Sequence, residues 1–134
     1  MSFSADIQKA IEKYKIGFND VVRLSLLDLT RSIVMMTPVD TGRAQNNWEA
    51  DIDMIPTGTN NKTRPASAVI EQAESKTRRA GGNIYYLVNN LSYIRKLEGT
   101  GVGDGYSRRA PNGMVRVSLQ NYPQYLKNAA ENLT

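Results

Sequence analysis

The chain has 134 residues, 40% of them hydrophobic and 22% charged, which is the composition of one folded domain and not of a disordered segment. It contains neither cysteine nor histidine, which excludes disulfides, thiolate and imidazole metal sites, a Cys nucleophile and any Ser-His-Asp or HExxH mechanism. The formal charge of +4 is unevenly divided, with −2 on residues 1–60 and +6 on residues 61–134.

The pattern opens on a helix. Ile7, Ile11, Tyr14, Phe18, Val21, Val22, Ser25, Leu29, Ile33 and Met36 recur at spacings of three and four, the stripe of an amphipathic helix. The spacing predicts a helix over about 5–36, capped by Ser4 or Asp6 and stopped by Thr37-Pro38. Gly17 is its weak point and marks a bend or a break. A helix of that length outruns one small domain, so part of its apolar stripe is expected to pack on another subunit. Thr37 to Arg43 (Thr-Pro-Val-Asp-Thr-Gly-Arg) is a turn, with Asp40 or Thr41 capping a short helix from Arg43 to about Trp48.

Residues 49–56 then alternate polar and apolar as a half-buried strand, and 57–65 read as a mobile polar loop or hairpin tip. A helix is expected over 66–79, ended by Gly81-Gly82. Residues 83–90, aromatic and β-branched, make the best strand. A short helix over 92–98 follows, then a flexible loop over 99–112. A last helix over 113–132 presents Val115, Leu119, Tyr122 and Leu126 on one face and kinks or restarts at Pro123. The fold class expected is α+β: a long N-terminal helix, a small antiparallel sheet, and helices packed on one face.

No stretch approaches the ~18 apolar residues of a membrane span. Met1 to Asp6 lacks the basic and apolar run of a signal peptide, so a cytosolic site of synthesis is expected.

The motifs carry little catalytic chemistry. Asp40-Thr41-Gly42 matches the triplet of aspartic proteases, but it follows a helix, and Arg43 stands where a small residue belongs. Glycines 99, 101, 103 and 105 lack the Gly-Lys-Ser/Thr ending of a phosphate loop. Asp51 and Asp53 share one face of the expected strand, with Glu49 and Asp40 near in sequence; such a cluster can bind Mg²⁺, and a solvent-facing strand edge explains it equally well. No metal, cofactor or enzymatic activity is expected. The basic excess falls in two clusters, Lys76, Arg78, Arg79 and Arg108, Arg109, Arg116, which read either as a solvated surface or as a patch that attracts phosphate or an acidic protein face. Aromatic residues are not interleaved with them as in base-stacking modules.

Two stretches resemble a known family. Met36-Thr37-Pro38-Val39-Asp40-Thr41-Gly42-Arg43, running on to Trp48, is similar to the TPVDTGxxxxxW segment of neck and tail-completion proteins of tailed bacteriophages. Tyr93 to Gly99, with Ala110-Pro111-Asn112-Gly113-Met114-Val115-Arg116 running on to Leu119, is similar to that family's YxxxLExG and QAPxGMVRVTL segments. The resemblance covers roughly residues 10–125, and the stretch from Gly99 to Arg109 departs from the family's pattern.

The resemblance implies a structural virion protein that joins head to tail or caps the tail tube. It implies a homo-oligomeric ring, hexameric or another multiple of six, with neck, connector and tail-tube proteins as neighbours. DNA only passes through the lumen. The expected localisation is the virion, and the host cytoplasm during assembly. Ring contacts are head-to-tail, so the acidic first half is expected to face the basic second half of the next copy. Loops 57–65 and 99–112 are expected to order on a neighbouring ring. The residues singled out for contact are Asp40, Thr41, Arg43, Trp48, Arg78, Arg79, Arg108, Arg109 and Arg116. The alternative is a nucleic-acid-binding module that uses the basic C-terminal half.

Overall fold

In the computed structural model the described residues are 5, 8, 9, 17–39, 42–62, 64–80, 83–99, 103 and 110–133. The elements in chain order are α1 (Phe18–Met36), α2 (Arg43–Asn46), β1 (Trp48–Ile52), α3 (Ala66–Thr77), β2 (Tyr85–Asn89), α4 (Ile94–Glu98), α5 (Val115–Gln120) and α6 (Tyr122–Asn132). The class is α+β, with a sheet of two antiparallel strands.

The expected helix over 5–36 is not continuous. Gly17 has extended backbone (φ −77, ψ 134) and stands at the N-cap of α1. Without a Cβ it sacrifices the most entropy inside a helix, so the break falls there. Ala5, Gln8 and Lys9 are helical, and the rest of residues 1–16 lies outside the described residues. At 19 residues α1 is about 28 Å long. That is a length one domain covers without a partner.

Two apolar clusters cover α1. Val21 at its start packs with Ala129 and Ala130 of α6. Ile33 and Val34 at its end join Trp48, Val69, Ile70, Leu91, Leu97 and Met114. Between and around them α1 presents hydroxyls that reach a different element each time. Ser25 Oγ shares a hydrogen bond with Tyr122 Oη at 2.9 Å, and Thr30 Oγ1 with Tyr85 Oη at 2.7 Å. Ser32 Oγ meets Ser118 Oγ of α5 at 2.7 Å. Thr37, at the C-cap, donates to Ile33 O (2.7 Å) and accepts Trp48 Nε1–H (2.8 Å). Ser25, Thr30 and Thr37 also bond carbonyls of their own helix, so the buried oxygens are satisfied at both ends.

The register pairs Trp48 with Asn89, Ala50 with Leu87 and Ile52 with Tyr85, which places these six on the face turned to the helices. Both backbone groups of Ala50 point away from β2, onto the side-chain amide of Gln72 in α3 (3.4 and 3.1 Å). That amide completes the β1 edge as a strand would. The expected last helix is two helices: Asn121 separates α5 from α6, and Pro123 sits in the first turn of α6, where its missing N–H costs nothing.

Trp48 is 5% exposed and hydrogen-bonded. Trp48→Ala should lower stability by about 3–5 kcal/mol. Urea unfolding followed by far-UV circular dichroism measures it, because the variant lacks the chain's one tryptophan. Burial raises the pKa of the Tyr85 phenol above 10.0, the bond with Thr30 offsetting part of the rise. The unfolded chain therefore releases this proton first. The contribution of Tyr85 is whole below about pH 10 and is lost as pH climbs from there through the folded value. Tyr85→Phe should cost about 1 kcal/mol at neutral pH. The gap in melting temperature between wild type and variant should narrow between about pH 8 and about pH 11.

Candidate interaction surface

The two stretches singled out by the sequence are built as polar locks. In the first, Thr37 and Trp48 bracket α2, and Gln45 Nε2 donates to Val34 O. Gly42 precedes α2 at φ +82, a backbone that glycine adopts without strain. Asn46 and Asn47 then fasten the loop that follows β1. Asn47 Nδ2 donates to Asn60 O (3.0 Å) and Asn60 N–H to Asn47 Oδ1 (2.8 Å). Asn60 Nδ2 donates to Asn46 O, and Arg64 Nε to Asn46 Oδ1. The polar segment expected as a mobile tip is thus tied down at Asn60 and Arg64.

The second lock joins α4 to α5. The Glu98 carboxylate accepts the N–H groups of Met114 (3.0 Å), Val115 (2.8 Å) and Arg116 (2.9 Å). These amides open a helix and have no partner within it, so a carboxylate there also meets the positive end of the peptide dipoles. Gly113, at φ +86, lets the chain approach: a Cβ there would run into the Glu98 carboxylate and carbonyl. Arg116 closes the lock from the other side, donating to Gly99 O (2.9 Å) and Asn112 O (3.1 Å).

The residues singled out for contact therefore divide. Trp48 is core, and Arg116 is engaged by backbone carbonyls. Arg43 is exposed on α2. Asp40, Thr41, Arg108 and Arg109 lie outside the described residues. Arg78 and Arg79 are exposed at the end of α3 and line an open pocket of about 630 Å³ together with Asn19, Asp20, Arg23 and Asn83. Arg23 was not anticipated. It sits on the polar side of α1, and its Nε is buried without a hydrogen-bond partner. Arg116 lines a different depression from Arg78 and Arg79.

The carboxylates of β1 are also committed. Glu49 faces Arg64 at 4.0 Å, and Asp51 faces Lys76 at 3.4 Å. The Ile52 N–H on Asp51 Oδ1, aided by Lys76, holds that carboxyl below its usual pKa. Asp53 turns back at φ +58 and accepts Ile84 N–H. Among the described residues no group of three or more acidic side chains is placed to hold a metal ion.

That second depression is an apolar groove of about 530 Å³ between residues 87–89 of β2 and the helices α4 and α5. Leu87, Ile94, Met114, Val115 and Leu119 line it, with Arg95 at its side. Leu119 is 52% exposed. No local sequence signal marks this groove, because it forms only when α4 and α5 are locked together. Among the described residues no helix is long and apolar enough to cross a membrane. No protein-family model, curated protein or solved structure matches the chain.

Gly113→Ala should cost about 3 kcal/mol, left-handed strain plus the clash with Glu98. Gly103 has the same backbone sign (φ +79) with open space around it. Gly103→Ala should cost about 1 kcal/mol. Equilibrium unfolding of both variants separates clash from strain.

Proposed function

We propose that the chain is a structural virion protein of a tailed bacteriophage. In this reading it assembles as a homo-oligomeric ring at the head–tail neck or at the end of the tail tube. It breaks and makes no covalent bonds, and DNA meets it only in passing through the lumen. Virion and host cytoplasm are its two locations, the second during assembly.

The observation that carries the reading is the coupling of the residues on which the resemblance rests. Glu98 of one segment takes the amide protons of Met114, Val115 and Arg116 of the other, and Gly113 makes room for it. Thr37 and Trp48, the ends of the earlier segment, hold each other as well. Residues with such duties are those a shared fold retains, whereas a chance likeness has no reason to fall on them. The competing reading, a nucleic-acid-binding module, keeps Arg23, Arg78 and Arg79 around one pocket. It loses Arg116, whose guanidinium already serves Asn112 and Gly99.

Native mass spectrometry of the purified chain, alone and mixed with phage tails lacking their terminal proteins, tests the proposal. Closed oligomers, or stoichiometric addition to tails, are expected. A strict monomer that ignores tails overturns it. Tight DNA binding that weakens about a thousandfold between 50 and 200 mM salt would establish the competing reading instead.

A further inference from the structure

The groove beside β2 is bordered by a strand edge that is unpaired among the described residues. Antiparallel neighbours alternate between bonded and non-bonded pairs. Asp53 N–H donates to Ile84 O (2.8 Å), and Ala50 turns both its backbone groups to Gln72, so Ala50–Leu87 is a non-bonded pair. Leu87 therefore directs its N–H and C=O away from β1, toward the side on which β2 has no neighbouring strand among the described residues. An edge of this kind, with an apolar trough beside it, accepts an extended segment: backbone bonds supply attraction, and alternate side chains fill the trough.

The same chain exposes a short apolar segment. Just past β1, Met54 is 66% and Ile55 58% exposed, on non-helical backbone with Pro56 behind them. Ile84, opposite the bend at Asp53, is also exposed. Adjacent large apolar side chains left in water on a surface otherwise well provided with polar groups mark a contact. Charge agrees with the match. Asp53 adjoins Met54 and forms no ion pair among the described residues. Arg95 stands exposed beside the groove, likewise without an ion pair.

We infer that the groove between β2 and helices α4 and α5 receives the Met54-Ile55 segment of a second copy of this chain, with Asp53 of that copy facing Arg95. The inference rests on the ring reading and names its subunit contact. The two surfaces differ, so the contact is head-to-tail: each copy gives one surface and receives the other. That is the geometry from which rings close. It also accounts for two apolar features that the chain's own core leaves uncovered.

The absence of cysteine makes a direct test available. Ile55→Cys and Leu119→Cys both alter exposed side chains, so neither variant should fail to fold. Mixed in equal amounts under mild oxidation, the two single variants should give a disulfide-linked heterodimer. The variant carrying both cysteines should give a ladder of covalent oligomers. Neither single variant alone should cross-link. In parallel, Leu119→Glu should weaken assembly about tenfold or more. Arg95→Ala should weaken it a few-fold and reduce its salt dependence, as loss of a rim charge does.

Native mass spectrometry of the wild type under the same conditions separates the possible failures. Oligomers without the heterodimer cross-link leave the ring standing and overturn this contact. Cross-links within each single variant alone replace the head-to-tail contact with a symmetric one and overturn it too. Monomers throughout, with or without tails, overturn both. Oligomers that survive Leu119→Glu unchanged show that the groove is not the contact.

Discussion

A single buried hydroxyl determines how α1 meets the sheet. Thr37 Oγ1 returns its proton to Ile33 O and takes the indole proton of Trp48. Pro38 forces the chain out of the helix immediately afterwards. Trp48 is thereby held against the end of α1, and β1 starts from that point. Its partner across the ladder is Asn89, whose side-chain amide donates to Ala44 O in α2. The loop from α1 to β1 is closed by these bonds from both sides. Ser25, Thr30 and Ser32 repeat the device along α1, each toward a different element. Apolar packing alone tolerates a helix sliding by a residue or rotating by a few degrees. Hydroxyl pairs at 2.7–2.9 Å do not, since a displaced pair leaves buried oxygens unsatisfied.

Much of this architecture was legible in the sequence wherever the signal was local. The strand over 83–90 and the helix over 66–79 announced themselves by residue type, and they appear as Tyr85–Asn89 and Ala66–Thr77. The Pro123 restart followed from the ring's missing N–H. Gly17 was recognised as the weak point, but composition does not say whether a helix bends or breaks there. The segment over 57–65 is a loop, but its anchoring contacts were not legible for a physical reason. Polar side chains are read as solvated, yet Asn60 and Arg64 find Asn46 and Asn47, whose own carbonyl and amide groups complete the bonds. Those partners lie 13 to 18 positions away.

The candidate surface was the least legible part. Glu98 and Gly113 have ordinary identities, and only their meeting in space explains either. Leu119 and Leu87 looked like core positions on their own elements. They become a groove because the Glu98 lock fixes α5 beside α4 and leaves the β2 edge standing open. Arg23 belongs to the same class: on a helical wheel it is a solvated cation, while the fold brings it to Arg78 and Arg79.

Charge distribution along the sequence overstates what the surface offers. The acidic first half and basic second half invite the idea of opposite faces on neighbouring copies. Inside one copy, however, Glu49 and Asp51 already face Arg64 and Lys76. Arg116 is taken by carbonyls. Half-buried pairs at 3.4–4.0 Å still keep part of their hydration, so these pairings add on the order of 1 kcal/mol each. Their larger effect is to withdraw charge from any partner. Two charges outside those pairings stand at the apolar surfaces: Asp53 beside the exposed Met54-Ile55, and Arg95 beside the groove. A contact built from them draws its free energy from apolar burial and strand pairing. Charge then selects the orientation in which the two surfaces meet.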